Sequence, residues 1–236
     1  METVAPGIER LCLGPWPGVN VYFLHEGDGL TLVDTGFFFN GPALLRQLQR
    51  MPPLRRILLT HFHPDHSGSC ALIARQMHVP VLVHRADLPF VAGQRWLDQE
   101  PGWWLTRTLL RLLRLFRIGR TAPPPELIPL EEGDRVGPWQ VLHTSGHTPG
   151  SASFYDQERC ILLCGDNLVH MPWGFRVGVP WWTLDHALQK RSIARYAELG
   201  AKLVLSGHGR PWRGDLSAFL RAGKASGSAN LGAPTL

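Results

Sequence analysis

A six-residue stretch, His61-Phe62-His63-Pro64-Asp65-His66, constrains this chain more than any other part of it. It offers four side chains that can bind a metal ion, and it directly follows the apolar run at residues 56–60, which is typical of a buried strand. The ligands are therefore predicted on a loop at the carboxyl end of a strand, where a rigid scaffold makes side chains converge. Imidazole and carboxylate together suit divalent ions such as zinc, iron(II) or manganese.

The same arrangement recurs three times downstream, where an apolar strand is followed by a small residue and then by a possible ligand. The strands are predicted at 139–143, 160–164 and 202–205, and they lead to His147, Asp166 and His208. Glycine precedes each of these three residues, which allows the backbone to turn sharply there. The alternative is a set of unrelated surface histidines. We predict that the whole set binds two adjacent metal ions: His61, His63, Asp65, His66, His147, Asp166 and His208.

The combined motifs resemble those of the metallo-β-lactamase fold hydrolases. They are HxHxDH, Gly-His followed by Thr-Pro-Gly, Gly-Asp and Gly-His-Gly, and the resemblance extends from about Val19 to about Arg213. It implies an α/β fold, an αββα sandwich of two mixed β-sheets flanked by helices. It also implies the division of the ligands: His61, His63 and His147 hold one metal, Asp65, His66 and His208 hold the second, and Asp166 bridges both.

Asp34 closes a predicted strand at residues 30–34 and is followed by Thr35-Gly36. The resemblance implies that this aspartate supports the metal site without binding the metal itself. The alternative is an acid that caps the following turn. His84, a single histidine at a predicted strand end, is interpreted as structural.

Length and composition indicate a globular protein without a membrane span. The chain has 236 residues, 44% of them hydrophobic, and is long enough for a full core. We expect one domain over residues 1–222 and a flexible tail at 223–236. No apolar run approaches the roughly 18 residues that a transmembrane segment needs, and no secretory signal is predicted. Four cysteines without a CxxC pair favour a reducing, cytoplasmic setting.

The net charge of +5 is spread along the chain, so no nucleic-acid partner is expected. One segment, about 88–125, breaks the strand pattern and contains an apolar helix predicted at 103–118 with arginines at spacings of three and four. We interpret it as a helical cap insertion beside the metal cleft. A homodimer contact is the second interpretation, and a membrane-surface helix is the third.

The segment Leu168 to Trp182 immediately follows Asp166 and is predicted to form a loop at one wall of the cleft. It supplies the candidate substrate contacts Trp173, Arg176 and Trp181. The alternative is that these tryptophans pack the insertion onto the body of the protein.

Two divalent ions about 3.5–4 Å apart can share one hydroxide and clamp an oxyanion. We therefore predict a dinuclear hydrolase whose metal-bridging hydroxide attacks an ester, thioester or lactone carbonyl of a small molecule, with Asp65 as the catalytic acid–base group. Zinc is the expected metal, with iron and manganese as alternatives. Three other functions stay open: a mononuclear iron enzyme resembling the persulfide dioxygenases, a phosphodiesterase, and a non-catalytic binding protein that keeps the fold.

Asp166 as a bridging ligand resembles the glyoxalase II-like and lactonase-like branches of the family. Lactonases place a tyrosine three positions after this acid, where the chain has Val169. Glyoxalase II enzymes place a lysine and a tyrosine further along, where it has Phe175 and Val177. We therefore predict a glyoxalase II-like enzyme without specificity for glutathione. The tryptophan-rich segment after Asp166 suggests an apolar acyl or aromatic substrate, unless these tryptophans pack the insertion onto the body of the protein.

Overall fold

A computed structural model describes residues 1–15, 18–27, 29–95, 123–172, 174–178 and 183–225. The chain divides into two compact units. Unit 1 comprises Met1–Leu13 and Val19–Leu130, and unit 2 comprises Gly14–Gly18 and Glu131–Leu236.

Unit 1 is built on a seven-stranded mixed sheet whose strands lie in sequence order. The first four strands pair antiparallel, and β4 to β7 pair parallel. Parallel pairing matters for the site, because the carboxyl ends of parallel neighbours lie at the same edge of a sheet. The strands are β1 (Glu2–Ala5), β2 (Ile8–Leu13), β3 (Val19–Glu26), β4 (Gly29–Val33), β5 (Leu54–Leu58), β6 (Val81–His84) and β7 (Leu127–Leu130).

The helices of unit 1 connect its parallel strands and cover the sheet. They are α1 (Gly41–Leu48), preceded by a 3-10 helix at Phe38–Asn40, then α2 (Pro64–Ser67), α3 (Cys70–Met77) and α4 (Leu88–Val91). Apolar residues of α1 and α3, such as Leu44 and Ile73, pack in one cluster with strand residues such as Phe23 and Ile57. The sequence had predicted that the metal motif is a loop, but only its first part is, because α2 begins at Pro64 within the motif.

Unit 2 contains a six-stranded mixed sheet with the order β15-β14-β11-β10-β9-β8. Strands β11 and β14 are parallel, and the other neighbours in this sheet are antiparallel. A separate two-stranded hairpin follows β11. The strands are β8 (Arg135–Val136), β9 (Trp139–His143), β10 (Ala152–Asp156), β11 (Ile161–Gly165), β12 (Leu168–Met171), β13 (Gly174–Val177), β14 (Leu203–Ser206) and β15 (Trp212–Arg213).

Two helices flank the sheet of unit 2: α5 (His186–Ala194), continued by a 3-10 helix at Arg195–Glu198, and α6 (Leu216–Ala225). They contribute Ile193, Tyr196 and Leu220 to a buried cluster with strand residues such as Leu162 and Val204. The prediction of two mixed sheets flanked by helices is confirmed.

The segment after Asp166 is a β-hairpin, β12–β13, and not the loop that the sequence had predicted. The two strands pair antiparallel, and Leu168 and Phe175 anchor them in the buried cluster of unit 2. Phe175 of β13 is fully buried and its ring stacks on Trp212, 4.7 Å between centroids, so this aromatic residue belongs to the core of unit 2.

The predicted helix at 103–118 and most of the insertion at 88–125 lie outside the described residues, so its interpretation as a cap, a dimer contact or a membrane-surface helix stays a prediction. Within the described ranges, no helix combines the length and the apolar character needed to cross a bilayer.

Candidate metal centre

Three parallel neighbours in unit 1 place polar side chains at one edge of its sheet. Strand β4 leads into Asp34, β5 leads into the motif that starts at His61, and β6 leads into Asp87. The backbone N–H of Asp34 donates to the carbonyl of Leu58, which fixes the ends of β4 and β5 side by side. The topology of the sheet therefore brings together residues that are up to 53 positions apart in the sequence.

The histidines of the motif are buried and lie against one another. His61, His63 and His66 expose 1%, 8% and 0% of their surface, whereas Asp65 is half-buried. Nε2 of His61 lies 3.1 Å from Nδ1 of His63, and Nε2 of His66 lies 3.5 Å from Oδ2 of Asp65. Both Asp65 and His66 stand on the single turn of α2, and His63 directly precedes it.

The carboxylate of Asp34 contacts both Thr60, directly before the motif, and His66, its last residue. Its Oδ2 lies 2.8 Å from Nδ1 of His66 and accepts a 2.8 Å hydrogen bond from the hydroxyl of Thr60, while Oδ1 accepts one from the Thr60 backbone N–H. The Thr60 hydroxyl in turn lies 3.0 Å from Nδ1 of His61. Asp34 is 2% exposed and has a φ of +60°, a left-handed conformation that aspartate tolerates better than most residues.

Asp87 is a contact of the motif that sequence reasoning missed. This aspartate is fully buried, and its Oδ2 accepts a 3.0 Å hydrogen bond from the backbone N–H of Phe62, the residue between the two histidines. The Phe62 ring stacks on Phe90 of α4, with 4.0 Å between centroids. Residues at the start of α4 and within it therefore hold both the backbone and the side chain of Phe62. The sequence gives only one signal for the role of Asp87, which is an acidic residue three positions after the end of β6.

In unit 2, three strand ends deliver the other predicted ligands. Strand β10 is antiparallel to both β9 and β11, and β14 is parallel to β11, so β9, β11 and β14 run in the same direction. Their carboxyl ends lie at one edge of the sheet, and they lead to His147, Asp166 and His208. The pattern recognised in the sequence is therefore a consequence of strand direction in one sheet.

These three side chains converge within unit 2. Oδ2 of Asp166 lies 3.6 Å from Nε2 of His147 and 3.4 Å from Nε2 of His208. His147 and Asp166 are 1% and 8% exposed, and His208 is half-buried. Nδ1 of His147 lies 3.1 Å from the hydroxyl of Thr183, and Nδ1 of His208 donates to the carbonyl of Gly18 at 2.7 Å.

A buried polar network lies behind the ligands of unit 2. The side-chain amide of Asn167, next to Asp166, donates to the hydroxyls of Thr144 and Tyr196 at 2.8 and 3.2 Å. The Tyr196 hydroxyl also lies 2.6 Å from that of Ser153, and burial raises its pKa above the ordinary value. The phenol stays protonated, so the network fixes the ends of β9 and β11 without adding charge.

Gly146, before His147, has a φ of +129°, and a Cβ there would lie 2.2 Å from the backbone nitrogen of Gln189 on α5. Only glycine fits this approach, because any side chain would collide with the helix backbone. The glycine therefore sets the position of His147 relative to α5.

The donor set fits a metal ion. In a tetrahedral site with bonds of roughly 2.0–2.2 Å, neighbouring ligand atoms lie roughly 3.3–3.6 Å apart. The four ligand-atom pairs given above, two in each unit, lie 3.1–3.6 Å apart. In addition, four of the five histidines have Nδ1 beside a carboxylate, a hydroxyl or a carbonyl oxygen, which fixes the ring and directs Nε2 inward, as metal-binding histidines require.

The remaining predicted residues are placed as follows. Arg176 is half-buried on β13 and pairs with Val169 across the hairpin, whereas Trp173 and Trp181 lie outside the described residues. His84 is buried at the end of β6, where its Nδ1 accepts a hydrogen bond from the N–H of Ala86.

Comparison with known proteins gives consistent results. The family model described as "Metallo-beta-lactamase superfamily" matches residues 14–208. The probable metallo-hydrolase YflN of Bacillus subtilis (strain 168) is 28% identical over 218 residues, which cover 83% of this chain and 82% of that protein. The acyl-coenzyme A thioesterase MBLAC2 of Homo sapiens is 31% identical over 175 residues, 62% of this chain and 57% of that one. The crystal structure of TTHA1623 in a di-iron-bound form is similar with a TM-score of 0.66 at 32% identity, covering 91% of this chain and 96% of that chain.

Proposed function

The chain belongs to the metallo-β-lactamase superfamily, and from this premise we propose that it is a dinuclear metal-dependent hydrolase of an ester, thioester or lactone carbonyl in a small molecule. The observation that carries the proposal is the convergence of imidazole and carboxylate atoms at ligand-to-ligand spacing in each unit, with a polar partner at Nδ1 of four of the five histidines. Proteins named as metallo-hydrolases and a thioesterase among the relatives support the reaction class.

In this proposal His61, His63 and His147 would hold one ion, Asp65, His66 and His208 would hold the second, and Asp166 would be a ligand of both. Three groups of described side chains have ligand atoms close enough together to hold a metal ion, and their members are these same seven residues. This agreement supports the assignment. Asp166 as a bridging carboxylate is the feature that this chain would share with the glyoxalase II-like branch. We therefore propose that the chain belongs to this branch of the superfamily.

Two divalent ions bound there, which we propose to be zinc, would supply Lewis acidity for activating water near neutral pH and for polarising the carbonyl oxygen. The protein supplies orientation. Asp34, through His66 and Thr60, and Thr183, through His147, hold the imidazole rings in one orientation. Asp65, half-buried on α2, is the acid–base group of the proposal, because its carboxylate reaches the ligand cluster and stays open to solvent for proton exchange.

The substrate that we propose is an apolar acyl thioester or ester. The thioesterase among the relatives supports this class. Specificity for glutathione is disfavoured, because Phe175, at one position where glyoxalase II enzymes grip that tripeptide, is fully buried against Trp212. Arg176, Trp173 and Trp181 stay candidates for substrate contacts. A reducing, cytoplasmic setting is part of the proposal and is supported by the four free cysteines.

Metal analysis combined with turnover assays tests this function. We expect two metal ions per chain and metal-dependent hydrolysis on a panel of acyl thioesters, lactones and phosphodiesters, abolished by chelation and restored by zinc. One iron per chain with oxygen consumption on a persulfide substrate would establish the dioxygenase alternative instead. A metal-loaded protein without turnover on any of these substrates would establish a binding protein.

A further inference from the structure

Three consecutive phenylalanines follow the Asp34-Thr35-Gly36 turn and remain on the surface of unit 1. Phe37, Phe38 and Phe39 expose 39%, 53% and 62% of their surface, and in the described part of the chain the only other large hydrophobic residue so exposed is Met1. Taking about 200 Å² for a phenylalanine, the three rings present roughly 300 Å² of apolar surface. We call these residues the Phe37–Phe39 cluster. A contiguous apolar patch of this size is commonly a binding surface.

The cluster is held in a defined conformation. The ring of Phe37 stacks on that of Phe39 with 5.2 Å between centroids, and Phe38 meets Phe39 edge to face at 5.4 Å. The backbone N–H of Phe37 donates to Oδ1 of Asn40 at 2.9 Å, and the hydroxyl of Ser69 donates to the carbonyl of Phe37 at 2.5 Å. An ordered apolar surface binds a ligand without first losing conformational entropy, which favours affinity.

The backbone of the cluster lies directly against the helical turn that carries two predicted ligands. A Cβ at Gly68 would lie 2.5 Å from the nitrogen of Phe38 and 2.8 Å from the carbonyl carbon of Phe37. Gly68 ends the turn on which Asp65 and His66 stand. In addition, the N–H and hydroxyl of Thr35 donate to the carbonyl of His66 at 2.6 and 2.8 Å. The cluster is therefore continuous with the metal-binding edge of unit 1 and fixed relative to it.

We propose that the Phe37–Phe39 cluster binds the apolar acyl or aryl group of the substrate. This inference rests on the proposed function and names the surface that would determine which acyl group the enzyme prefers. Its area favours a small ligand, because a stable protein–protein interface needs about 800 Å² from each partner. The area accommodates an acyl chain of up to about ten carbons, since each methylene accounts for about 30 Å².

The test compares the wild type with the double variant Phe38→Ser/Phe39→Ser on acyl thioesters from C2 to C8. A fully buried methylene changes kcat/KM about fourfold, so about twofold per methylene is expected on a half-exposed surface. We expect the wild type to show this rise from C4 to C8, and the double variant to lose it, measured for each protein as the ratio of kcat/KM for the C8 and C4 thioesters. Both rings are more than half exposed, so the variant keeps the core. Arg46→Ala, on the exposed side of α1, is the matched surface control and should behave as the wild type.

Titration with octanoate and acetate separates this inference from the proposed function. If C2 thioester is hydrolysed but chain length has no effect in either protein, the cluster proposal is wrong and the hydrolase stands. If no ester is hydrolysed, tighter binding of octanoate than acetate that the double variant loses supports the cluster, and equal binding refutes it.

Two further results would overturn the proposal in favour of another occupant. One is a concentration-dependent dimer that the double variant abolishes without a change in chain-length preference. The other is sedimentation with phosphatidylglycerol vesicles that the double variant abolishes in the same way.

Discussion

The buried carboxylate of Asp34 accepts hydrogen bonds from Thr60 on both oxygens, and its Oδ2 also lies 2.8 Å from Nδ1 of His66. Asp34→Asn removes one acceptor and turns an N–H₂ group toward a donor, while asparagine still tolerates the left-handed backbone. We expect metal affinity to fall about 10- to 100-fold, as when other supporting partners of ligating histidines are lost. Competition with a chromogenic chelator measures it.

The matched control for Asp34 is Asp156→Asn. Asp156 is as buried as Asp34, but its carboxylate pairs with Arg159, away from the predicted ligands. We expect this variant to lower thermal stability and leave metal affinity unchanged. An Asp34→Asn protein that binds metal as tightly as the Asp156→Asn protein would show that Asp34 has no role in holding the site.

His63 and His84 are both buried histidines of unit 1, 8% and 7% exposed, with opposite expected roles. His63→Ala should remove a bound ion and hydrolysis, because the ring nitrogen of His63 lies among the ligand atoms. His84→Ala should cost some stability and leave both nearly intact, since His84 lies at the end of β6 and its Nδ1 accepts from the backbone N–H of Ala86. Metal content by mass spectrometry, with melting temperature alongside, distinguishes them. Equal metal loss in the two variants would contradict the assignment.

At the scale of elements, α4 acts on the metal motif through one residue, Phe62. The buried carboxylate of Asp87 accepts from its N–H, and the ring of Phe90 stacks on its side chain. Asp87→Ala leaves a buried N–H without its acceptor, which costs about 1–3 kcal/mol and loosens the segment between His61 and His63. We expect weaker metal binding in Asp87→Ala and near-normal binding in Asp87→Asn, whose amide oxygen still accepts.

Asp215→Ala is the control for this element effect. Asp215 also precedes a helix, α6, and accepts from the N–H of Ala218, but it is exposed and pairs with Lys202. Its loss should alter stability alone. If Asp87→Asn binds metal as poorly as Asp87→Ala, hydrogen bonding to Phe62 is not the cause.

The strand ends that carry ligands were predictable from the sequence, because each is an apolar run followed at once by a histidine or aspartate. The runs predicted at 139–143, 160–164 and 202–205 correspond to β9, β11 and β14 within one or two residues. The roles of Asp87, Thr183 and Asn167 were not predictable, because each depends on a hydrogen bond to a residue 23 or more positions away, which sequence spacing does not show. The segment after Asp166 was predicted wrongly as a loop, since the proline directly after β12 and the glycine that begins β13 are residue types typical of turns.

At the scale of the whole molecule, each unit has a hydrophobic cluster of its own, and each cluster contains one fully buried cysteine. Cys70 packs among the apolar residues of unit 1, and Cys164 among those of unit 2. Burial raises the pKa of both thiols to about 12 from an ordinary value of 9.0. Cys12 and Cys160 are thiols that are only half-buried.

These raised pKa values predict both reactivity and pH dependence. The thiolate is the reactive form of cysteine. At pH 8 a thiol with a pKa of about 12 is therefore alkylated roughly a thousandfold more slowly than one with the ordinary pKa of 9.0, and steric burial slows the reaction further. In stability, each buried thiol is neutral in the fold while the unfolded chain ionises near pH 9. The contribution of the buried thiol to the free energy of unfolding is therefore fully present below pH 9 and is lost as the pH rises toward 12. The clusters should weaken in alkali and not between pH 6 and 8.

Maleimide labelling followed by peptide mass spectrometry checks this at pH 8. In the native protein we expect Cys12 and Cys160 to be labelled within minutes, and Cys70 and Cys164 to stay protected. All four should react in concentrated guanidinium chloride. Because Cys70 reports on the cluster of unit 1 and Cys164 on that of unit 2, their labelling along a denaturant series gives the stability of each cluster separately. Labelling of Cys70 or Cys164 in the native protein as fast as Cys12 would mean that the corresponding cluster is not closed around its thiol.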